Sequence, residues 1–268
     1  MTAFDIASRA EYPPAEPDIL GELDSGLRRA AWPDPAALDG WRIDASVRGA
    51  ILDRFRDRTN REWAIDDAFR FRDRVGLPTK ALSDPTWRVV PGGTSIRAGV
   101  YLGPGVVVMP PSFVNVGAWI GSGTMVDSHV LVGSSAQIGA DVHLAAGVVI
   151  GGVLEPAGAR PVIVEDGAFV GAGAQLLEGV LVGARAVIAA GVTLTGTSTL
   201  YDLVAERVTV GTPDRPLVVP ANAVVVPASR AVEGAFARAH GLSVAVAMVV
   251  KHRDARTDAR TALEEALR

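Results

Sequence analysis

Between Val114 and Asp202 an aliphatic residue returns at every sixth position, first as Val114, Ile120, Val126, Val132, Ile138, Leu144 and Ile150. The count slips across Pro156–Ile163 and resumes as Val164, Val170, Leu176, Val182, Ile188, Leu194 and Leu200. A helix repeats at about 3.6 residues and a strand at about two, so neither produces this spacing. A hexapeptide forming one flat side of a triangular coil does. Three sides close a turn, which stacks Val114, Val132 and Ile150 over one another, and likewise Val164, Val182 and Leu200. The residue after the aliphatic position is often glycine (Gly121, Gly133, Gly139, Gly151, Gly171, Gly183), and the fifth position is small or β-branched (Ala118, Thr124, Val130, Ala136). Tight corners and a narrow interior require such residues. The expected fold is mainly β, a parallel β-helix of hexapeptide repeats. A Gly- and Val-rich β-sandwich is the alternative that the in-phase spacing disfavours.

The flanks carry other periods. Residues 1–86 are expected to form a small N-terminal helical domain. Asp18–Arg29 places Ile19, Leu20, Leu23 and Leu27 at helical spacing, Asp39-Gly40 reads as a turn, and Ala45–Arg56 places Val47, Ile51, Leu52 and Phe55 on one face. Arg54–Arg74 is dense in Arg and Asp, with Trp63, Ile65, Phe69 and Phe71 between them. It reads as a solvated helix face of mixed charge, with anion contacts as the alternative. Pro78 and Pro85 mark a linker into a β-helix spanning 87–205. Its first hexapeptides are placed at Val100 and Val106, with a two-residue phase slip at Pro110-Pro111. Residues 156–163 read as a loop leaving the prism, a common location for function. Residues 206–268 are expected to form a C-terminal cap. In it Val224–Val226 and Val244–Val250 are strands and Thr257–Leu267 is a helix with Leu263 and Leu267 inward, closing the open end of the sheet stack.

Composition narrows the function. Hydrophobic content is 49% with only 6% aromatics, as small aliphatics filling a narrow prism require. The absence of cysteine excludes disulfide and thiol chemistry. A formal net charge of −4 weighs against nucleic acid as a partner. No apolar run reaches membrane length, and Met-Thr-Ala-Phe-Asp-Ile lacks the basic-then-apolar pattern of a signal peptide, so a cytoplasmic protein without a membrane partner is expected. The four histidines, His129, His143, His240 and His252, offer no close pair in the repeat region, so no metal site is expected.

Two side chains stand out against the repeat. Asp127 follows the interior position Val126, where glycine is usual, so its carboxylate emerges at a coil edge. It suits a base or an anchor for a substrate amine, and equally a cap on local amides. His143 lies one coil on, stacked on Met125 near Asp127, and reads either as a general base or as a satisfied surface histidine.

Several strings resemble the tetrahydrodipicolinate N-succinyltransferase family: Phe113-Val-Asn-Val-Gly-Ala, Gly123-Thr-Met-Val-Asp127, Gly133-Ser-Ser-Ala-Gln-Ile-Gly139, Val142-His-Leu and Ile150-Gly-Gly-Val-Leu-Glu-Pro156. Leu23-Asp-Ser-Gly26, Asp39-Gly-Trp41, Arg88-Val-Val-Pro91 and Ala247-Met-Val-Val-Lys251 extend the likeness over nearly the whole chain. The resemblance implies a left-handed coil, a homotrimer with active sites between subunits, and succinyl-CoA as co-substrate with no permanently bound cofactor. The reaction it implies is transfer of succinyl to the amine of an acyclic 2-amino-6-oxo-dicarboxylate in lysine and diaminopimelate synthesis. Asp127 and Arg88 match its substrate-binding positions, and a carboxylate for an ammonium and an arginine fork for a carboxylate are chemically apt. Arg97 is a candidate for a second substrate carboxylate. Gly151, Gly152 and Lys251 are candidates for CoA.

The chain also departs from that family. Met125-Val-Asp-Ser-His129 stands where the family reads Met-Val-Asp-Thr-Trp. Gly171-Ala-Gly-Ala-Gln175 stands where it reads Gly-Ala-Arg-Ser-Glu. His129 and Gln175 therefore sit at substrate-binding positions with changed chemistry, and an arginine has become Gly173. Polar sites reject mismatched groups strongly, so the acyl donor or the acceptor could differ while the mechanism persists. A non-catalytic trimeric solenoid is the third reading.

Overall fold

The structure, a computed structural model, describes residues 18–64, 70–154, 160–212 and 214–261. The expectations for Ile65, Phe69, Leu263, Leu267 and residues 156–159 of the 156–163 loop lie outside those residues. Two-residue strands follow one another around three flat parallel sheets. The first sheet turns Ile96, Val114, Val132, Ile150, Leu176 and Leu194 inward. The second does so with Leu102, Ile120, Ile138, Val164, Val182 and Val219. The third uses Val89, Val108, Val126, Leu144, Val170, Ile188 and Val225. All but Val89 are buried in one continuous core, each contributing roughly 1.5–3 kcal/mol of hydrophobic stabilisation.

The stack Val114–Val132–Ile150 is as the spacing requires. Two details of phase differ from the sequence reading. No slip occurs at Pro110-Pro111, because Leu102, Val108 and Val114 point inward at unbroken six-residue spacing. Val100 and Val106 fill the other interior position, the one Ala118 and Thr124 occupy further on. Both positions hold aliphatic residues here, so the pattern alone could not separate them. Beyond Val182 the stacked residue is Val219 rather than Leu200. The chain leaves the prism after Gly196 and returns at Leu217, whose N–H donates to the Gly196 carbonyl at 3.1 Å. Leu200 stays buried, but in strand Thr199–Asp202, which pairs with Ser243–His252.

Corners bring successive coils very close. A Cβ on Gly121 would lie 2.4 Å from the Gly139 carbonyl carbon, so only glycine fits there. Buried hydroxyls complete the corner hydrogen bonding: Thr124 Oγ1 donates to the Gly139 carbonyl at 2.8 Å and accepts from Val142 N–H at 3.0 Å.

The N-terminal segment packs on the second sheet through helix and strand together. Helix α1 (Ile19–Asp24) is shorter than the Asp18–Arg29 pattern. Gly26 has a φ of 76° with its α-carbon against the Tyr101 ring, which turns the chain out and leaves Leu27 exposed. Helix α2 (Ala45–Arg56) starts where Asp44 accepts from Ser46 N–H at 3.1 Å, and it buries Val47 and Ile51. The mixed-charge stretch is not a helix face. Asn60–Ala64 and Arg70–Arg74 form an antiparallel ribbon in which Glu62 faces Arg72, so its alternating charges pair across strands.

At the other end, Ala223–Ala231 and Ser243–His252 form a long antiparallel pair that extends the third sheet. Helices α3 (Ala235–Ala239) and α4 (Ala255–Thr261) accompany it. Among the described residues no helix is long and apolar enough to cross a membrane.

Candidate active site

Two of the candidate residues, Asp127 and His143, meet at the edge between the third and first sheets. Strand Met125–Val126 ends there, and the backbone N–H of Asp127 is tied to the Leu144 carbonyl at 2.9 Å on the next coil. The carbonyl of Asp127 accepts from Ser112 Oγ at 2.9 Å on the preceding coil. The Asp127 backbone is thus clamped from both sides while its side chain remains 32% exposed. One carboxylate oxygen caps Ser128 N–H at 2.7 Å, and the other lies 3.9 Å from His143 Nε2.

His143 occupies the outward row of the third sheet, registered on Met125 below and Phe169 above. Its ring meets Phe169 edge-on at 5.1 Å between centroids. Packing and strand register therefore aim the imidazole at Asp127, as the coil length predicts. Arg88 begins the same outward row, at the far side of Val107 and Met125. At about 4.8 Å per strand it lies roughly 10 Å along the prism from Met125, on the exposed surface.

The other candidates fall elsewhere. His129 sits on the turn after Asp127, exposed, with a φ of 62° and its N–H donated to the Pro111 carbonyl at 2.7 Å. Gln175 lies on the outward row of the first sheet between Val149 and Thr193, exposed and two rungs above Leu131. Gln175 thus lies on a face that Asp127 borders, two rungs further along the prism. Gly173 has a φ of 68° with open space where a side chain would project.

Arg97 is engaged structurally. It pairs with Asp73 at 2.7 Å and donates to the Leu77 carbonyl at 3.1 Å, with its side chain only 17% exposed. Lys251 pairs with Asp254 at 2.9 Å. That bond, together with the Thr257 amide and hydroxyl, holds the Asp254 carboxyl well below its ordinary range. Gly151 and Gly152 lie where coils approach closely: a Cβ on Gly152 would sit 2.6 Å from Ser134 Oγ. Packing alone demands a glycine there. Among the described residues no group of three or more His, Asp or Glu side chains could hold a metal.

One charged group went unnoticed in the sequence. Arg29 is buried against the second sheet, its Nε donating to Gln137 Oε1 at 2.5 Å and its guanidinium 4.2 Å from the Trp119 ring centre. The only signal was position, just after Leu23-Asp-Ser-Gly26, which spacing does not flag.

Comparison with known proteins decides the family. Residues 117–152 match the family described as bacterial transferase hexapeptide (six repeats), and residues 161–196 match the hexapeptide repeat of succinyl-transferase. A 2,3,4,5-tetrahydropyridine-2,6-dicarboxylate N-succinyltransferase of Dechloromonas aromatica is 38% identical, over 93% of this chain and 88% of that protein. The chain belongs to the tetrahydrodipicolinate N-succinyltransferase family. A relative of the same name from Azoarcus sp. is 40% identical over 97% of this chain and 93% of its own. One from Leptothrix cholodnii is 40% identical over 93% and 87%. The parallel coil is accordingly the left-handed β-helix of that family.

Proposed function

We propose that the protein transfers succinyl from succinyl-CoA to the amine of acyclic tetrahydrodipicolinate, in lysine and diaminopimelate synthesis, as a cytoplasmic homotrimer. The observation that carries this reading is the Asp127 carboxylate. It is presented beside His143 on a rigid coil edge, in a chain that spans nearly the full length of relatives named for this reaction.

In this mechanism the amine nitrogen attacks the thioester carbonyl, an N–C bond forms and the C–S bond breaks. Asp127 orients the ammonium and takes its proton, and the departing CoA thiolate is protonated from solvent. The His143 imidazole borders the Asp127 carboxylate at 3.9 Å, too far to share that proton directly. A thiolate leaves readily, so proximity supplies much of the acceleration. Arg88, exposed on the same row, receives a substrate carboxylate. In the homotrimer of this reading, residues of a neighbouring subunit would complete the site around Asp127. Lys251, Gly151 and Gly152 remain the candidates for CoA, with the lysine exchanging Asp254 for a phosphate.

Gly173 and Gln175 favour a second reading, the same chemistry on another acceptor or acyl donor, because an arginine and a carboxylate are missing from the family's pattern. The test of the Asp127 role is turnover by Asp127→Asn, which keeps the Ser128 cap but removes the base. We expect kcat to fall at least about 100-fold, with CoA affinity unchanged. Turnover equal to the unmodified protein would remove Asp127 from the mechanism.

A further inference from the structure

A second cleft lies at the corner between the second and third sheets, one prism face away from Asp127. It encloses about 440 Å³ and is walled by Trp41, Tyr101 and Trp119, with Arg29 on one side and Asp166 on another. That volume falls in the range of small-molecule sites. The aromatic walls are built, not incidental: Tyr101 stacks on Trp119 at 3.8 Å, and the Trp41 indole donates to Glu165 at 2.8 Å. Glu165 is fully engaged, because its other oxygen accepts from Ala184 N–H at 2.9 Å.

The two remaining charges are not satisfied by each other. Arg29 is 9% exposed, yet among the described residues only its Nε makes a hydrogen bond, leaving both terminal nitrogens unpartnered. Burial pulls its pKa down to about 10, against the opposing pull of Asp166 and Tyr101. Asp166 caps Ala140 N–H at 2.8 Å through one oxygen, and its second oxygen makes no hydrogen bond among the described residues. The pair attracts through space, and among the described residues neither group forms an ion pair within 4.0 Å. The Arg29 terminal nitrogens reach the solvent of the cleft, where they can donate to an anion. Asp166, across the cleft, is exposed, and its second oxygen is open to a ligand cation.

From this juxtaposition we propose that the cleft is a binding site for a small zwitterion, an α-amino acid with an unbranched or aromatic side chain. Its carboxylate is held by the Arg29 fork, its ammonium by Asp166, and its side chain by the indole and phenol faces. The site is separate from Asp127, because Gly121 and Ser122 line it at the edge where the third-sheet strand Met125–Val126 begins, whereas Asp127 lies at the edge where that strand ends. Occupancy would tie the N-terminal segment, through Arg29 and Trp41, to the coil.

The experiment is tryptophan fluorescence titration of the full protein with three probes: L-norleucine, hexanoate, which lacks its amine, and pentylamine, which lacks its carboxylate. L-Norleucine is expected to give saturable quenching with an affinity at least about tenfold above either partial probe, the scale of one charge-assisted bond. Asp166→Asn keeps the Ala140 cap, so it should fold. It should lower L-norleucine to the level of hexanoate while leaving hexanoate unchanged. Asp127→Asn should change neither, which separates this cleft from the acyl-transfer site. Arg29→Lys should weaken both carboxylate probes. No saturable quenching, equal affinity for L-norleucine and hexanoate, or an unaffected Asp166→Asn protein would each overturn the proposal and leave Arg29 as a packing element. Loss of L-norleucine binding in Asp127→Asn would overturn it too, by assigning that binding to the acyl-transfer site.

Discussion

Val218 and Val219 form one two-residue strand, and the same change at each should have unequal effects. Val219 is fully buried and stacks on Val182, whereas Val218 points outward and is 38% exposed. Val219→Ala removes two methyl groups from a close-packed interior. At about 0.8 kcal/mol per buried carbon the transfer loss is about 1.6 kcal/mol. Val219 stands in the terminal rung of its sheet, laddered only to Leu181–Val182, yet it is fully buried, so a cavity contribution raises the total to about 2–3 kcal/mol. Val218→Ala loses only part of one face and should stay below about 0.5 kcal/mol. The assay is urea unfolding at one fixed protein concentration, because any oligomer makes stability concentration-dependent. Equal slopes with a displaced midpoint only for Val219→Ala are expected. Equal losses at the two positions, or a larger one at Val218, would refute the placement of Val219 on the prism axis and restore Leu200 as the stacked residue.

Arg97→Met should lower stability by about 1–2 kcal/mol through loss of the Asp73 pair and the Leu77 carbonyl bond, with the KM for the amine acceptor unchanged. A large rise in that KM, with stability intact, would return Arg97 to the substrate site. Asp44→Ala should cost about 1 kcal/mol at neutral pH through loss of the α2 cap. Burial pushes the Asp44 carboxyl up, but hydrogen bonds from Ser46 and the Arg28 charge together outweigh it and hold the group below its ordinary value. The folded pKa is depressed, so this contribution is present above the unfolded pKa and fades as pH falls through the folded one. The difference between Asp44→Ala and the unmodified protein, followed by thermal melts from neutral pH into acid, should therefore shrink. A difference that grew on acidification would contradict the assignment.

The repeat was legible because it demands one bulky aliphatic residue per side, and Ile120, Ile138 and Leu144 satisfy that demand with no competing period. The nearness of His143 to Asp127 followed from the same arithmetic, since the coil length fixes which residues stack. Legibility failed where two positions carry the same residue type, as at Val106 and Val108. It failed again where a tertiary neck replaces the next repeat, as between Gly196 and Leu217. The charged ribbon around Glu62 and Arg72 looked helical because mixed charge indicates solvation, not backbone geometry. The partners of Arg97 and Arg29 are remote in sequence, so local pattern assigned the first a substrate and overlooked the second. Asp127 was visible as a break in the glycine pattern. Its clamping by Ser112 and the Leu144 carbonyl needed three-dimensional neighbours.

The most direct test of the account is release of CoA thiol by the purified protein given L-2-aminopimelate as a stable acceptor, with succinyl-CoA and acetyl-CoA in parallel. The account predicts acceptor-dependent release with succinyl-CoA, well above that with acetyl-CoA, and its loss in Asp127→Asn. Release confined to acetyl-CoA, or no acceptor-dependent release from either thioester, would contradict it.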